Sequence, residues 1–146
     1  MQRIRKSVLV PYSNAEMFDL VDDVARYPEF LPWCAGAAVL ALRPDGKTAR
    51  VDISYHGVRV HFTTDNVNQR PEAIVITLRD GPFRHLHGEW RFHALDAAAC
   101  KIEFELAYEF ATMLLDRVIG PVFGHIANTL IDAFVRRAQA LYGPRL

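Results

Sequence analysis

A chain of 146 residues with 17 Lys and Arg against 17 Asp and Glu carries no formal net charge, which excludes bulk electrostatic attraction to DNA or to an anionic membrane. At 51% hydrophobic and 23% charged residues the composition is that of a folded globule with one sizeable core, not of a disordered segment. Two cysteines, Cys34 and Cys100, lack a CxxC partner or a histidine at ligand spacing. With no apolar leader after Met1 and no 18-residue apolar run, the expectation is a cytoplasmic protein with reduced thiols, with peripheral contact at the inner membrane left open.

Residues 3–10 read as a first strand ending at Pro11. Ser13 and Glu16 then form a capping-box pattern, flanked by Tyr12 and Met17 as a hydrophobic staple. Met17, Phe18, Val21 and Val24 recur at helical spacing, which predicts a helix ending near Arg26 because Pro28 restricts Tyr27. The segment Tyr27-Pro28-Glu29-Phe30-Leu31-Pro32-Trp33 is too rich in proline for regular structure. It predicts one short helical turn between the prolines and a site where three aromatic rings are buried.

From residue 35 the pattern changes to strands. Val51, Ile53 and Tyr55 alternate with polar residues, His56-Gly57 predicts a hairpin turn, and Val58, Val60 and Phe62 resume the alternation. Arg70-Pro71 and Asp80-Gly81-Pro82 mark turns around a strand carrying Ile74, Ile76 and Leu78. Leu86, Gly88, Trp90 and Phe92 share one face of the next strand, opposite His85, His87, Glu89, Arg91 and His93. The last strand sets Ile102, Phe104, Leu106, Tyr108 and Phe110 against charged residues. An antiparallel sheet with one dry face follows, and Gly88 predicts a bulge that helps it curl. Residues 112–142 predict a long helix kinked at Gly120-Pro121. Its apolar pairs fall four apart, from 114/115 to 134/135, so its apolar face should swing by about 200° around the axis. The expected architecture is one α+β domain over residues 1–146, a helix-grip fold in which about seven curved antiparallel strands surround the C-terminal helix.

Several motifs, taken in order, resemble those of a known family. They are Leu9-Val10-Pro11-Tyr12-Ser13, Tyr27 to Cys34, Phe62-Thr63-Thr64, Asp80-Gly81-Pro82-Phe83, Gly88-Glu89-Trp90-Arg91-Phe92 and Gly120-Pro121-Val122-Phe123, with Ala133-Phe134 and Arg136-Arg137-Ala138. Together they resemble the START-like superfamily, and within it the coenzyme Q-binding and ribosome-association toxin (RatA) family, also labelled polyketide cyclase/lipid transport. The resemblance implies a START/Bet v 1-like fold and binding of a hydrophobic small molecule, an isoprenoid quinone such as ubiquinone or a related lipid, in support of respiration. It also implies an alternative, a RatA-type toxin that binds the 50S ribosomal subunit and blocks subunit association. A cyclase-type enzyme is the third reading.

Candidate ligand-binding residues are the aromatic segment (Tyr27, Phe30, Leu31, Trp33), the sheet residues Tyr55 and Trp90, and the inner face of the long helix (Leu115, Val118, Ile119, Val122, Phe123, Ile126). For each the plain alternative is ordinary core packing. Arg3, Arg5 and Lys6 would join Arg136, Arg137 and Arg145 in one cationic patch if the termini meet, a surface for lipid phosphate or ribosomal RNA. His85, His87 and Glu89 share a wet face without a converging set of ligands, so no metal is expected, and no resident cofactor. No catalytic motif is present, so catalysis is not expected.

Overall fold

A computed structural model describes residues 1–145. β1 (Gln2–Val10) leads into α1 (Asn14–Asp22), a 3₁₀ segment (Val24–Glu29), and then a run of strands: β2 (Cys34–Arg43), β3 (Gly46–Tyr55), β4 (Val58–Gln69), β5 (Ala73–Asp80), β6 (Phe83–Asp96) and β7 (Ala99–Phe110). α2 (Met113–Tyr142) closes the fold. The strands form one antiparallel sheet in the order β1-β7-β6-β5-β4-β3-β2, so β1 and β2 are its edges. The segment from Pro11 to Trp33 crosses from one edge to the other.

Local chemistry accounts for the junctions. Ser13 caps α1 as expected: its Oγ accepts from Glu16 N at 3.1 Å while its own N–H donates to Glu16 Oε1 at 2.9 Å. The stapling pair Tyr12 and Met17 is buried. α1 ends at Asp22, earlier than expected, and the 3₁₀ segment includes Pro28 instead of lying between the prolines. The backbone bonds around Pro28 run from Arg26 N to Asp23 O and from Phe30 N to Tyr27 O, so the short 3₁₀ stretch is held without the N–H that proline lacks. His56 and Gly57 both have positive φ (49° and 78°), the geometry of a two-residue hairpin turn. Arg70-Pro71 is a cis peptide in the β4–β5 turn.

The alternation in β6 and β7 places Leu86, Trp90 and Phe92 against Ile102, Phe104, Leu106, Tyr108 and Phe110 on the concave face, all buried. Gly88 forms no bulge. It pairs in register with Leu106 and Ile76, and the irregularities of β6 lie at its two ends, Phe83/His85 and Ala94/Asp96. The glycine serves close packing instead, since a Cβ there would stand 3.1 Å from Leu106 Cδ1.

α2 runs without interruption through Pro121. Its start is capped by Thr112, whose Oγ1 accepts from Leu115 N at 3.1 Å. Its buried side chains are Ile119, Phe123, Ile126, Ala127, Ile131, Phe134 and Ala138. These steps of three to four residues drift by about 100° around the axis, half the expected swing. In the first turns only one row of the apolar pairs turns inward, which leaves Leu114 (68%) and Val118 (55%) in solvent.

Candidate functional site

Where α2 lies across the curled sheet the side chains do not fill the interior. A cavity of about 100 Å³ remains. Ala49, Val51 and Ile53 of β3 form one wall, joined by Phe62, Thr64 and Asn66 of β4. Ile76, Leu86, Trp90, Phe104 and Leu106 continue it across β5 to β7. Phe123, Ile126, Ala127 and Leu130 of α2 form the roof, and Val24, Tyr27 and Trp33 of the crossing segment close one end. Every inward strand position is reached by the same period-two alternation, so the sheet's curl alone decides which of them meet.

Five residues singled out in the sequence come together here: Tyr27, Trp33, Trp90, Phe123 and Ile126. The others do not line the cavity. Leu31 and Ile119 are buried in the surrounding core. Phe30 packs on the outer side of Tyr27 and Phe134, with the Arg137 guanidinium 4.9 Å above its ring. Tyr55 stacks on His125 at 6.0 Å and fastens the β3–β4 hairpin to the outside of α2. Leu115 and Val122 are half-buried at the edge of the core, and Val118 points outward because it sits on the solvent row of α2.

The single cationic patch does not form. The C-terminal end of α2 approaches the start of α1: Tyr12 OH donates to Gly143 O at 2.7 Å, and Arg145 pairs with Glu16 at 2.7 Å. Arg3 lies at the far end of β1, about 23 Å from Val10 at strand rise. Arg5 pairs with Glu105, and Arg137 with Glu29. Arg3, Lys6 and Arg136 are exposed and have no ion-pair partner among the described residues. Glu89 of the His85–His87 strand face pairs with Arg91, and among the described residues no group of three His, Cys, Asp or Glu side chains converges.

Thr64 and Asn66 are the polar residues that the sequence reading missed. They are 6% exposed and share the inward face of β4 with Phe62; the Thr64 hydroxyl donates to Asn66 Oδ1 at 2.8 Å. Their spacing of two from Val58, Val60 and Phe62 was the available signal. The Tyr27 hydroxyl is already engaged, donating to Val21 O, and burial pushes its pKa well up. Cys34, beside Trp33, is a free thiol held at about 11 by burial. No carboxylate, histidine or lysine lies on the cavity wall among the described residues.

Comparison with known proteins places this geometry. The profile of the family described as polyketide cyclase / dehydrase and lipid transport matches residues 10–135. A Vibrio cholerae protein named ribosome association toxin RatA is 43% identical over 98% of this chain and 99% of its own length. A Xenopus laevis protein named coenzyme Q-binding protein COQ10 homolog B, mitochondrial, is 25% identical over 94% of this chain and 58% of its own. Among solved structures, an 18 kDa protein from Caulobacter crescentus is 31% identical, with a TM-score of 0.76 over 99% of this chain and 100% of that one.

Proposed function

The chain belongs to the polyketide cyclase/dehydrase and lipid transport family, and from that premise we propose that it binds a hydrophobic, ring-bearing small molecule, of the isoprenoid quinone class, and carries it without transforming it. The observation that carries this reading is the apolar cavity between the sheet and α2, lined by both tryptophans of the chain. A wall without carboxylate, histidine or lysine among the described residues, its one phenol tied to a backbone carbonyl, suits holding a guest more than acid–base catalysis. The name of the coenzyme Q-binding relative supports the same ligand class.

Size is the constraint on this reading. About 100 Å³ is below the roughly 300–1,000 Å³ of pockets that enclose whole drug-sized ligands, and a cavity of about 150 Å³ holds a benzene. A single ring therefore enters if half-buried lining residues such as Leu130 and Tyr27 give way slightly. An attached tail would add about 0.8 kcal/mol for each methylene it buries. The experiment is extraction of the protein purified from its own host, followed by mass spectrometry, together with titration of added quinone. Recovery of a quinone and saturable binding are expected; neither occurring overturns the reading.

A second reading has its own support, the RatA names of relatives at 42–44% identity over nearly the whole chain. In this reading the protein attaches to the large ribosomal subunit and hinders subunit joining. With no net charge, contact would rest on local groups such as the exposed Arg3, Lys6 and Arg136. Gradient profiles of ribosomes after overexpression test it: free subunits should accumulate, and an unchanged profile removes the idea.

A further inference from the structure

We infer that the cavity selects a guest bearing acceptor oxygens, such as the carbonyls of a quinone ring, over a plain hydrocarbon of equal size, and that Asn66 is the residue that makes the selection. The inference rests on the ligand-binding reading above and adds a chemical requirement to it.

The geometry is specific. Asn66 lies on the inward face of β4 and is 6% exposed. Its Oδ1 is occupied by the Thr64 hydroxyl at 2.8 Å, which also fixes the amide plane. The Nδ2 group is left over: it donates to no group among the described residues. Asp65, between the two in sequence, points to the opposite face, where it meets Thr48 and Arg79, so the polarity of Thr64 and Asn66 is not part of that surface network. The indole N–H groups of Trp33 and Trp90 also have no partner among the described residues, and both residues line the same space.

A donor facing an apolar chamber becomes costly when a guest shuts water away from it without offering an acceptor. The unpartnered groups on this wall are donors, so the complementary guest supplies acceptors. A carbonyl on a flat ring meets that condition, and a saturated chain or alkylbenzene does not. Gly46 supports the placement: its Cα lies so close to the Asn66 carbonyl that any side chain would collide with it, which keeps β3 tight against this part of β4.

The test uses tetramethyl-1,4-benzoquinone and hexamethylbenzene, the same ring with methyl groups in place of both carbonyl oxygens. The affinity of each is measured by titration calorimetry. The full-length wild-type chain should prefer the quinone by about tenfold, the size expected for one buried hydrogen bond. Asn66→Leu should bring the two ligands within about twofold while still binding hexamethylbenzene. The carbonyl stretch of the bound quinone should lie at lower frequency in wild type than in that variant. If Asn66→Leu does not fold, Thr64→Val, which frees the amide to rotate, should reduce the preference instead. Equal affinities in the wild type overturn this inference and leave ligand binding standing. Failure of both compounds to bind overturns this inference and the ligand-binding reading together.

Discussion

Replacing Ala127 by leucine is the sharpest probe of the cavity. Ala127 is 2% exposed and sits in the roof formed by α2, so three added carbons would point into the empty space. Burying them contributes about 2 kcal/mol at 0.8 kcal/mol each. Imperfect fit costs about 1–3 kcal/mol. The two nearly cancel, and stability should stay within about 1 kcal/mol of wild type, a shift in Tm of no more than about 4 °C for a chain of this length. The guest, however, would lose its seat. The chain has two tryptophans, Trp33 and Trp90, and both line the cavity, so quenching of intrinsic fluorescence by tetramethylbenzoquinone reads occupancy directly. Wild type should quench saturably and Ala127→Leu should not. A folded Ala127→Leu protein that quenches with unchanged affinity would show that the guest binds elsewhere, and a loss of stability beyond about 3 kcal/mol would show that the space is not where Ala127 points.

Gly46→Ala should cost about 3 kcal/mol or more in denaturant unfolding, because its Cβ would collide with the Asn66 backbone carbonyl oxygen and force β3 from β4. Glu16 is held at about 2, below its ordinary 4.5, chiefly by the Arg145 guanidinium and then by the Ser13 backbone amide, against the opposing effect of burial. A lowered folded-state value gives stability that is fully present above about 4.5 and is lost as pH falls toward 2. Glu16→Gln should therefore lose about 1–2 kcal/mol at pH 7 and converge on wild type at pH 2, measured by thermal melts across that range. Burial raises both Cys34 and Cys100 to about 11, so neither should react appreciably with a disulfide reagent at pH 8 until denaturant unfolds the chain, when both should. Arg137→Ala should cost about 1 kcal/mol through loss of the Glu29 pair and the cover over Phe30, whereas Arg136→Ala should leave the melting curve unchanged.

The strands and the capping box were legible because each follows a short-range rule: period two for one wet and one dry face, and Ser13 with Glu16 three residues on. The helix-grip architecture followed from the order of those elements and from one terminal helix long enough to cross the sheet. The cavity lining was less accessible. Trp90 and Phe123 could be assigned inward from periodicity, but Thr64 and Asn66 break the apolar pattern of β4 at the place where the interior is hollow. A polar residue facing a void looks, in sequence, like one facing water. On α2 the doubled apolar rows hid which member of each pair turns inward, so Val118 was placed inside and Ala127, the smaller member of the 126/127 pair, was passed over as a lining residue. The cationic patch failed for a different reason. It depended on where two distant chain ends lie, and the edge position of β1 puts Arg3 at the end of the strand away from Arg145.

The arrangement of the sheet edges has a consequence for how the chain reaches its native form. β1 has one neighbour, β7, and Val10 aligns with Cys100, so the earliest strand to leave the ribosome finds its partner only when the sheet is almost complete. At synthesis rates of about 5–20 residues per second that delay is roughly 5–20 s. The consecutive hairpins from β2 to β7 can zip in order meanwhile, while β1 waits with its backbone unsatisfied and open to wrong pairings. Such non-local closure slows folding, and it makes the joining of first strand to last, followed by docking of α2, the natural late step of assembly.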